Sequence, residues 1–187
     1  MLTAAAYDIH VEQLLEKMRR FHATLTAVGI PYRIIGGLAV FIHVFEKDPL
    51  RARLTNDVDA AVDRSDLPRI KAAAEMAEFR FRHVAGIDML VDKEKPQARS
   101  AVRLVFVNEK VRTEYLEPVP ASEPVRTKEG ILIAPVADLV RMKLTSFRLK
   151  DKVHIQDLDG VGLITPEIEK SLSEPLRQRL AEVRATE

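Results

Sequence analysis

Residues 32–64 read YRIIGGLAVFIHVFEKDPLRARLTNDVDAAVDR. The rest of the chain is organised around this stretch, because it holds two features that one ligand-binding site would need together. Its first part runs from the apolar pair Ile34 and Ile35 through Gly36-Gly37 into the helix-like LAVFIHVF. The pattern predicts a strand, a tight turn and a helix. Paired glycines let the backbone approach a ligand closely, and successive N–H groups at a helix N-terminus favour phosphate. Gly36 and Gly37 are therefore predicted to bind phosphate.

The second feature is Asp57-Val58-Asp59, which opens the strand-like run DVDAAV. Residues two apart on a strand point to the same side, so the two carboxylates are expected on one face, about 7 Å apart by the strand rise. Like charges placed in this way repel unless a cation lies between them. Hard divalent ions with oxygen ligands, Mg²⁺ above all, meet that need. Asp57 and Asp59 are therefore predicted to hold Mg²⁺ or Mn²⁺.

A Gly-Gly strand-to-helix turn followed by an Asp-x-Asp strand resembles the signature of the nucleotidyltransferase superfamily related to DNA polymerase beta. The wording GGLAVFIHV…RLTNDVDAAVD is most similar to the AbiEii-type branch, which includes type IV toxin–antitoxin toxins. The resemblance spans about residues 34–158. Taken singly, Gly-Gly usually marks only a turn and Asp-x-Asp only a solvated edge or a cap. The two motifs in this order favour a nucleotide site at Gly36, Gly37, Asp57 and Asp59.

The chain departs from many relatives in the segment from Leu38 through Asn56, which is longer, with EKDPLRA as the expected insertion. A longer loop costs little closure entropy but can reshape the acceptor side of the site.

Composition bounds the class of protein. At 187 residues the chain is expected to form a single domain over 1–187, with a core at about 30–134 and a helical part at about 135–187. Lys+Arg 29 against Asp+Glu 28 leaves a net charge of +1, so any nucleic-acid contact must be a local patch. The absence of cysteine excludes disulfides, thiolate catalysis and Cys-ligated zinc. Without a leader pattern or a membrane-length apolar run, a cytoplasmic location and no membrane partner are expected.

The rest of the chain alternates helix and strand patterns, which predicts an α/β (α+β) fold with a small mixed sheet flanked by helices and closed by C-terminal helices. An amphipathic helix is predicted first, with apolar positions at Val11, Leu14, Met18, Phe21, Leu25 and Val28. The run AVRLVFV is predicted to form a hairpin with KVRTEYLE, and ILIA a short strand. Thr165 is predicted to cap a helix, and Leu176, Leu180 and Val183 to be the apolar side of the last one.

A second candidate set lies in PVADLVRMKLTSFRLKDKVHIQDLDG, where Pro135 is predicted to be the first residue of a helix. On a helical wheel Lys143 falls within an apolar stripe formed by Val136, Leu139, Val140, Leu144 and Phe147. A lysine there is costly unless it reaches an anion or snorkels to water. Asp151 lies two turns further on that face and could equally cap a following helix. Because AbiEii-type proteins carry a lysine and a following aspartate in similar wording in their active site, the resemblance implies that Lys143 and Asp151 are catalytic and that Lys143 binds the triphosphate.

The resemblance also implies a third acid on a neighbouring strand, but AVRLVFV has Arg103 where an aspartate is expected. Asp88 is the substitute candidate for a third metal ligand, and a loop aspartate facing water explains it equally. Glu109 and Glu114 are weaker candidates. His154 stands where some relatives have an acid, so its role is open.

Downstream of Lys143, three basic residues are predicted to form a local patch that suits a triphosphate or a nucleic-acid acceptor, or else a solvated helix end: Arg148, Lys150 and Lys152.

The resemblance implies an enzyme that transfers a nucleoside monophosphate from an NTP to a hydroxyl of RNA or tRNA, a small molecule or a protein, with Mg²⁺ or Mn²⁺. A toxin–antitoxin component with a cognate antitoxin as partner is an expected context. The alternative is a degenerate nucleotidyltransferase fold that binds a nucleotide or a protein partner without catalysis, which Arg103 favours. A plain nucleic-acid-binding module is disfavoured by the near-neutral charge.

Overall fold

A computed structural model describes residues 4–55, 57–94 and 101–186 of the chain, with side chains from residue 12 onward. Asn56, the Val11 side chain and residues 95–100 lie outside the described residues. The helices are α1 (Ala4–Ala27), α2 (Gly36–Lys47), α3 (Leu67–Met76), α4 (Val136–Ser146), α5 (Leu149–Gly160), α6 (Pro166–Ser171) and α7 (Glu174–Arg184). The strands are β1 (Tyr32–Ile35), β2 (Val58–Val62), β3 (Phe79–Val84), β4 (Ile87–Asp92), β5 (Val102–Phe106), β6 (Val125–Arg126) and β7 (Leu132–Ile133).

The described strands form one mixed sheet in the order β3-β4-β5-β2-β1-β7-β6. β1 runs antiparallel to β2 and parallel to β7, and β2 runs parallel to β5. This architecture confirms the predicted α/β class with a mixed sheet and flanking helices. The predicted hairpin between AVRLVFV and KVRTEYLE is wrong, because β5 already has β4 and β2 as neighbours and has no free edge. Residues 111–117 form turns and bends instead.

The register divides the sheet into two faces. Ala60 of β2 is opposite Ile34 of β1 and Leu104 of β5, and these apolar residues are buried. On the same face the Tyr32 ring packs edge-on against Phe21 of α1, with ring centroids 5.3 Å apart. Successive residues of a strand point to opposite faces. The odd-numbered residues of β1, β2 and β5, among them Asp59, therefore lie on the face away from α1.

Helices α4 and α7 contribute to the same hydrophobic core as the sheet, through Leu139 and Leu144 and through Leu176, Leu180 and Val183. The amphipathic character predicted for the last helix is therefore confirmed. Thr165 caps α6 as predicted, since its side chain accepts from the N–H of Ile168. Pro135 was predicted to be the first residue of a helix, but it is the N-cap of α4, which begins one residue later at Val136. Within the described residues no helix is long and apolar enough to cross a membrane.

Candidate functional site

The Gly36-Gly37 turn connects β1 directly to α2, as the sequence pattern predicted. Gly36 has a left-handed φ of +72°, and a Cβ at this position would overlap Oδ2 of Asp59. A Cβ on Gly37 would lie 2.8 Å from Oγ1 of Thr55. The N-cap residue, Ile35, makes no side-chain hydrogen bond to the first turn of α2. The first N–H groups of α2 therefore lie beside Asp59, at a turn where larger residues would clash.

Asp57 and Asp59 flank Val58 at the start of β2 and are bridged by a single arginine. Nε of Arg103 donates to Oδ1 of Asp59 at 2.6 Å, and its Nη2 lies 2.7 Å from Oδ2 of Asp57. Arg103 is directly opposite Asp59 in the parallel pairing of β5 with β2, so it takes the position where a third acid was expected. Burial lowers the pKa of Arg103, but the charges of Asp59 and Asp57 outweigh burial and leave the pKa raised. Arg103 is therefore a fixed cation between the two carboxylates.

The structure contradicts the prediction that Asp88 is a third metal ligand. Asp88 is opposite Leu104 in the pairing of β4 with β5, whereas Met89 is opposite Arg103. Its side chain therefore points to the other face of the sheet from Asp59. There Oδ1 of Asp88 lies 2.6 Å from Nδ1 of His83. Asp88 belongs to a separate contact and cannot join the Asp57–Asp59 pair.

Lys143 and Asp151 form a buried ion pair between α4 and α5. Nζ of Lys143 donates to Oδ1 of Asp151 at 3.1 Å, and the Lys143 side chain is only 7% exposed. Lys143 thus reaches an anion and does not snorkel to water. Burial lowers the pKa of Lys143, although the charge of Asp151 opposes that effect.

Asp151 is fully buried and has several donors around it. Oδ2 of Asp151 accepts from Oγ of Ser146 at 2.8 Å, from Nε of Arg148 at 2.7 Å and from the Arg148 backbone N–H at 3.2 Å. Burial raises its pKa, but the hydrogen bonds from Arg148 and the charge of Lys143 lower it to about 2. Asp151 both caps α5 and holds Lys143. Asp151 was predicted by resemblance to be catalytic; in the structure it is fully buried, with Lys143 among its hydrogen-bond donors, and its part in catalysis stays a prediction.

These groups surround a cavity of about 770 Å³. Its described lining includes both glycines of the turn, both aspartates, Lys143 and His154. Basic side chains outnumber acidic ones there, since Asp57 and Asp59 are set against Arg103, Arg112, Lys143, Arg148 and Lys150. The excess positive charge makes the cavity suited to an anionic ligand.

Of the predicted basic patch, Arg148 and Lys150 line this cavity. Lys152 differs, because its Nζ lies 2.6 Å from Oε1 of Glu182 and 4.2 Å from the ring centroid of Phe147. The patch near the site is therefore smaller than predicted.

His154 lies on α5 beside the glycine turn, and its Cε1 would be 3.4 Å from a Cβ on Gly37. Its Nδ1 is buried and has no hydrogen-bond partner among the described residues. Burial and the charge of Lys143 lower the pKa of His154 to about 4. The imidazole is therefore uncharged at neutral pH.

The insertion predicted at EKDPLRA includes a short 3-10 turn, Pro49–Arg51, and is fixed to the end of α5. Arg51 donates to the carbonyl of Gly160, and Nε of Arg53 lies 2.9 Å from Oδ1 of Asp157. The chain then leads through Thr55, which lines the cavity and accepts from the N–H of Asp57 at 3.4 Å.

The sequence did not indicate Thr55, Arg112 or Tyr115 as cavity residues. Arg112 and Tyr115 come from the segment that was predicted to be a hairpin strand, so their place in the fold could not be inferred. Thr55 could have been found from its position, because it places a hydroxyl two residues before the Asp-x-Asp motif.

Asp57 and Asp59 are the described residues best suited to hold a divalent cation. Each keeps one oxygen that Arg103 does not contact, Oδ1 of Asp57 and Oδ2 of Asp59. Among the described residues no group of three His, Cys, Asp or Glu side chains converges on a metal position. Mg²⁺ is commonly held by one or two carboxylates together with waters and substrate phosphates. The donor set therefore fits Mg²⁺ or Mn²⁺ when a phosphate ligand supplies further oxygens.

No protein-family model and no curated protein matches this chain in sequence. Solved structures do match it. An antigenic nucleotidyltransferase-like protein from Paracoccidioides brasiliensis is 18% identical, with a TM-score of 0.59 over 94% of this chain and 88% of that one. The antibiotic-resistance factor ANT(2'')-Ia is 12% identical, with a TM-score of 0.47 over 95% of this chain and 85% of that one. The Megavirus polyadenylate synthase is 6% identical, with a TM-score of 0.40 over 91% of this chain and 34% of that one.

The likeness to the Paracoccidioides protein shows that this chain has a nucleotidyltransferase-like fold. That agrees with the superfamily that the two sequence motifs resemble. None of these three names belongs to an AbiEii-type protein, so that branch stays a prediction.

Proposed function

We propose that this chain is a nucleotidyltransferase that moves a nucleoside monophosphate from an NTP to a hydroxyl acceptor. One observation carries the proposal: the Gly36-Gly37 turn, the Asp57–Asp59 pair and Lys143 all line one cavity whose charge favours anions. A turn alone or an acidic pair alone has simpler explanations. Their convergence on one cavity, in a fold of this kind, suits the binding of a nucleoside triphosphate.

In the proposed reaction the oxygen of the acceptor hydroxyl attacks the α-phosphorus of the NTP, the bond between that phosphorus and the α,β-bridging oxygen breaks, pyrophosphate leaves with that oxygen, and the hydroxyl proton is released to water. The N–H groups at Gly36 and Gly37 would hold the terminal phosphates at the N-terminus of α2. Lys143 would bind the triphosphate as a point charge, and Asp151 would keep its ammonium in place. Asp57 and Asp59 would hold Mg²⁺ or Mn²⁺, which when bound neutralises charge on the transferred phosphoryl group.

The charge of the cavity also bears on the acceptor. Among its described lining, Arg112, Arg148 and Lys150 add positive charge beyond the residues assigned to the triphosphate. An RNA or tRNA acceptor, which is anionic, suits this cavity better than a cationic small molecule. A toxin–antitoxin context, a cognate antitoxin partner and a cytoplasmic location are part of the proposal through the AbiEii resemblance alone.

The second candidate function is a nucleotide-binding module without catalysis. The position of Arg103 favours it, because the arginine is ion-paired to both carboxylates and stands where a third acid was expected. Such a module would bind NTP but would not release pyrophosphate.

The test is the transfer of label from each of the four α-³²P NTPs to total RNA or lysate acceptors, with Mg²⁺ and with EDTA. Asp59→Asn should abolish labelling while leaving the protein folded. The matched control is Asp63→Asn, since Asp63 follows the same strand at its far end, is exposed, and accepts from the N–H of Ser65. If the wild type labels nothing but still binds NTP, the binding module replaces the enzyme. If Asp59→Asn labels as well as Asp63→Asn does, the carboxylate pair has no part in the reaction.

A further inference from the structure

Arg103 is the one cation bonded to either carboxylate of the Asp57–Asp59 pair among the described residues. It uses one edge of the guanidinium, with Nε on Asp59 and Nη2 on Asp57. The three side chains are partly exposed, at 30% for Arg103, 33% for Asp57 and 22% for Asp59. The bridge is therefore accessible from the cavity and not locked in the core.

A divalent cation at the two aspartates and the guanidinium of Arg103 compete for the same oxygens. Two of the four carboxylate oxygens already accept from Arg103, and Oδ2 of Asp59 lies against Gly36. A dication between the carboxylates would also lie a few ångströms from the guanidinium charge, where like charges repel strongly. The cation therefore binds well only if Arg103 leaves at least one aspartate.

Phosphate groups bound at the Gly36-Gly37 turn are suited to pair with a displaced Arg103. The guanidinium lines the same cavity as the Gly36-Gly37 turn, and it is bonded to the carboxylate that lies against Gly36. Its planar fork of donors matches phosphate oxygens better than a lysine ammonium does. Phosphate groups at the turn would therefore lie within the reach of Arg103.

We propose that Arg103 is a resident counter-ion: it holds Asp57 and Asp59 in the metal-free protein, yields them to a divalent cation, and then donates to the phosphates of the bound nucleotide. The identity of the second ligand as an NTP rests on the proposed function. The competition for the two aspartates does not depend on it.

The exchange makes cation and nucleotide bind cooperatively. A cation alone must break the bridge, whereas a cation that arrives with a nucleotide leaves Arg103 with a new anionic partner. Because binding couplings are reciprocal, NTP should raise the affinity for the cation by the same factor as the cation raises the affinity for NTP. Removing the guanidinium should tighten cation binding on its own and reduce this coupling.

The experiment measures Mn²⁺ binding to the wild type and to Arg103→Gln by electron paramagnetic resonance and calorimetry, without nucleotide. Loss of two charge-assisted hydrogen bonds that compete with the ion should tighten Mn²⁺ binding by about tenfold or more. The matched control is Arg112→Gln, which removes the same charge from the cavity lining at an arginine whose nearest carboxylate, Glu114, is 3.8 Å away. It should change Mn²⁺ affinity by no more than about twofold, as expected for a screened charge. Asp57→Asn in the Arg103→Gln background should remove the gain.

The same titrations are then repeated with each of the four α,β-methylene nucleoside triphosphates. The wild type should show a strong increase in Mn²⁺ affinity with the analogue it binds, and Arg103→Gln a smaller increase. Arg103→Lys, which keeps the charge but not the fork, should fall between the two and provides a second variant if Arg103→Gln folds poorly.

Equal Mn²⁺ affinity in the wild type and Arg103→Gln, or an equal gain in Arg112→Gln, overturns the proposal whatever the labelling assay shows. Absence of Mn²⁺ binding to Arg103→Gln and Arg103→Lys overturns it too. Conversely, a gain specific to Arg103 in a protein that transfers no label supports the resident counter-ion and refutes only the proposed reaction.

Discussion

Replacing Asp151 by alanine should lower the free energy of unfolding by about 3–5 kcal/mol, because it leaves a buried ammonium without its carboxylate. Asp151 is fully buried, and it accepts from Lys143, Ser146 and Arg148. Of these donors Ser146 and Arg148 are nearer to solvent and can turn to water. Lys143 cannot, since its side chain is 7% exposed. The expected loss is therefore mainly the desolvated charge of Lys143.

The opposite replacement, Lys143→Met, should be much milder. It removes one donor, leaves Asp151 with its bonds to Ser146 and Arg148, and puts a side chain of similar length next to Leu139 and Leu144. Loss of one hydrogen bond to a charged group is worth about 1.5–3 kcal/mol, and the apolar surroundings offset part of it. We expect a loss of about 1 kcal/mol, well below that of Asp151→Ala.

Urea unfolding of the two variants and the wild type measures this asymmetry, and NTP titrations measure the functional side. Both variants should weaken NTP binding, because each removes either the ammonium or the group that positions it. If the two variants lose equal stability, the buried charge is not what makes Asp151 important. If NTP affinity is unchanged in both, Lys143 is a structural residue and has no contact with the ligand.

Three further outcomes are expected. The pKa of Asp151 is held near 2, against an ordinary value of 3.8, so its ionised carboxylate stabilises the folded state above about pH 4, and this stabilisation is lost as the pH falls toward 2. Urea unfolding should show that the wild type loses about 1 kcal/mol of unfolding free energy between pH 5 and pH 3, whereas Asp151→Asn lacks this loss. Gly36→Ala should destabilise the protein more than Gly162→Ala does. The two glycines have nearly the same φ, +72° and +73°, so both variants carry a backbone strain of about 1–2 kcal/mol, but only a Cβ at Gly36 would clash with Asp59. Thermal melts of the two variants therefore measure the effect of that clash. Asp88→Asn should change the labelling rate by less than about twofold, because Asp88 is on the other face of the sheet; a large loss in that assay would place it in the site after all.

The sequence predicted those parts of the site whose residues lie close together along the chain. The strand, the glycine turn and the helix from Tyr32 to Lys47 follow from an apolar run, paired glycines and a second apolar run. The unusual position of Lys143 followed from a helical wheel, and its partner Asp151 lies within reach along the same stretch of chain. In each case the residues that interact are close in sequence, so spacing alone relates them.

The parts that sequence reasoning missed depend on which strands are neighbours. Arg103 meets Asp59 only because β2 and β5 pair in parallel with those two residues opposite each other. Asp88 turns away only because β4 pairs with β5 in a register that puts Leu104 opposite it. A shift by one residue would exchange the faces, and no local pattern in either strand fixes that choice. The place of Arg112 was likewise out of reach, since irregular chain has no periodicity to read.

The pairing of β1 with β7 has a consequence for how the protein is made. Ile34 is opposite Ile133, so the strand that ends in the glycine turn and the strand that leads to Lys143 are parallel neighbours separated by more than half of the chain. Parallel strands need a long connection, and such distant contacts form late. Helix α4 also packs against α7, whose Val183 is in the core. A chain still emerging from the ribosome therefore carries Asp57 and Asp59 well before α4 can bring Lys143 against them. It should gain the ability to bind a nucleotide only once the residues of α7 have been released.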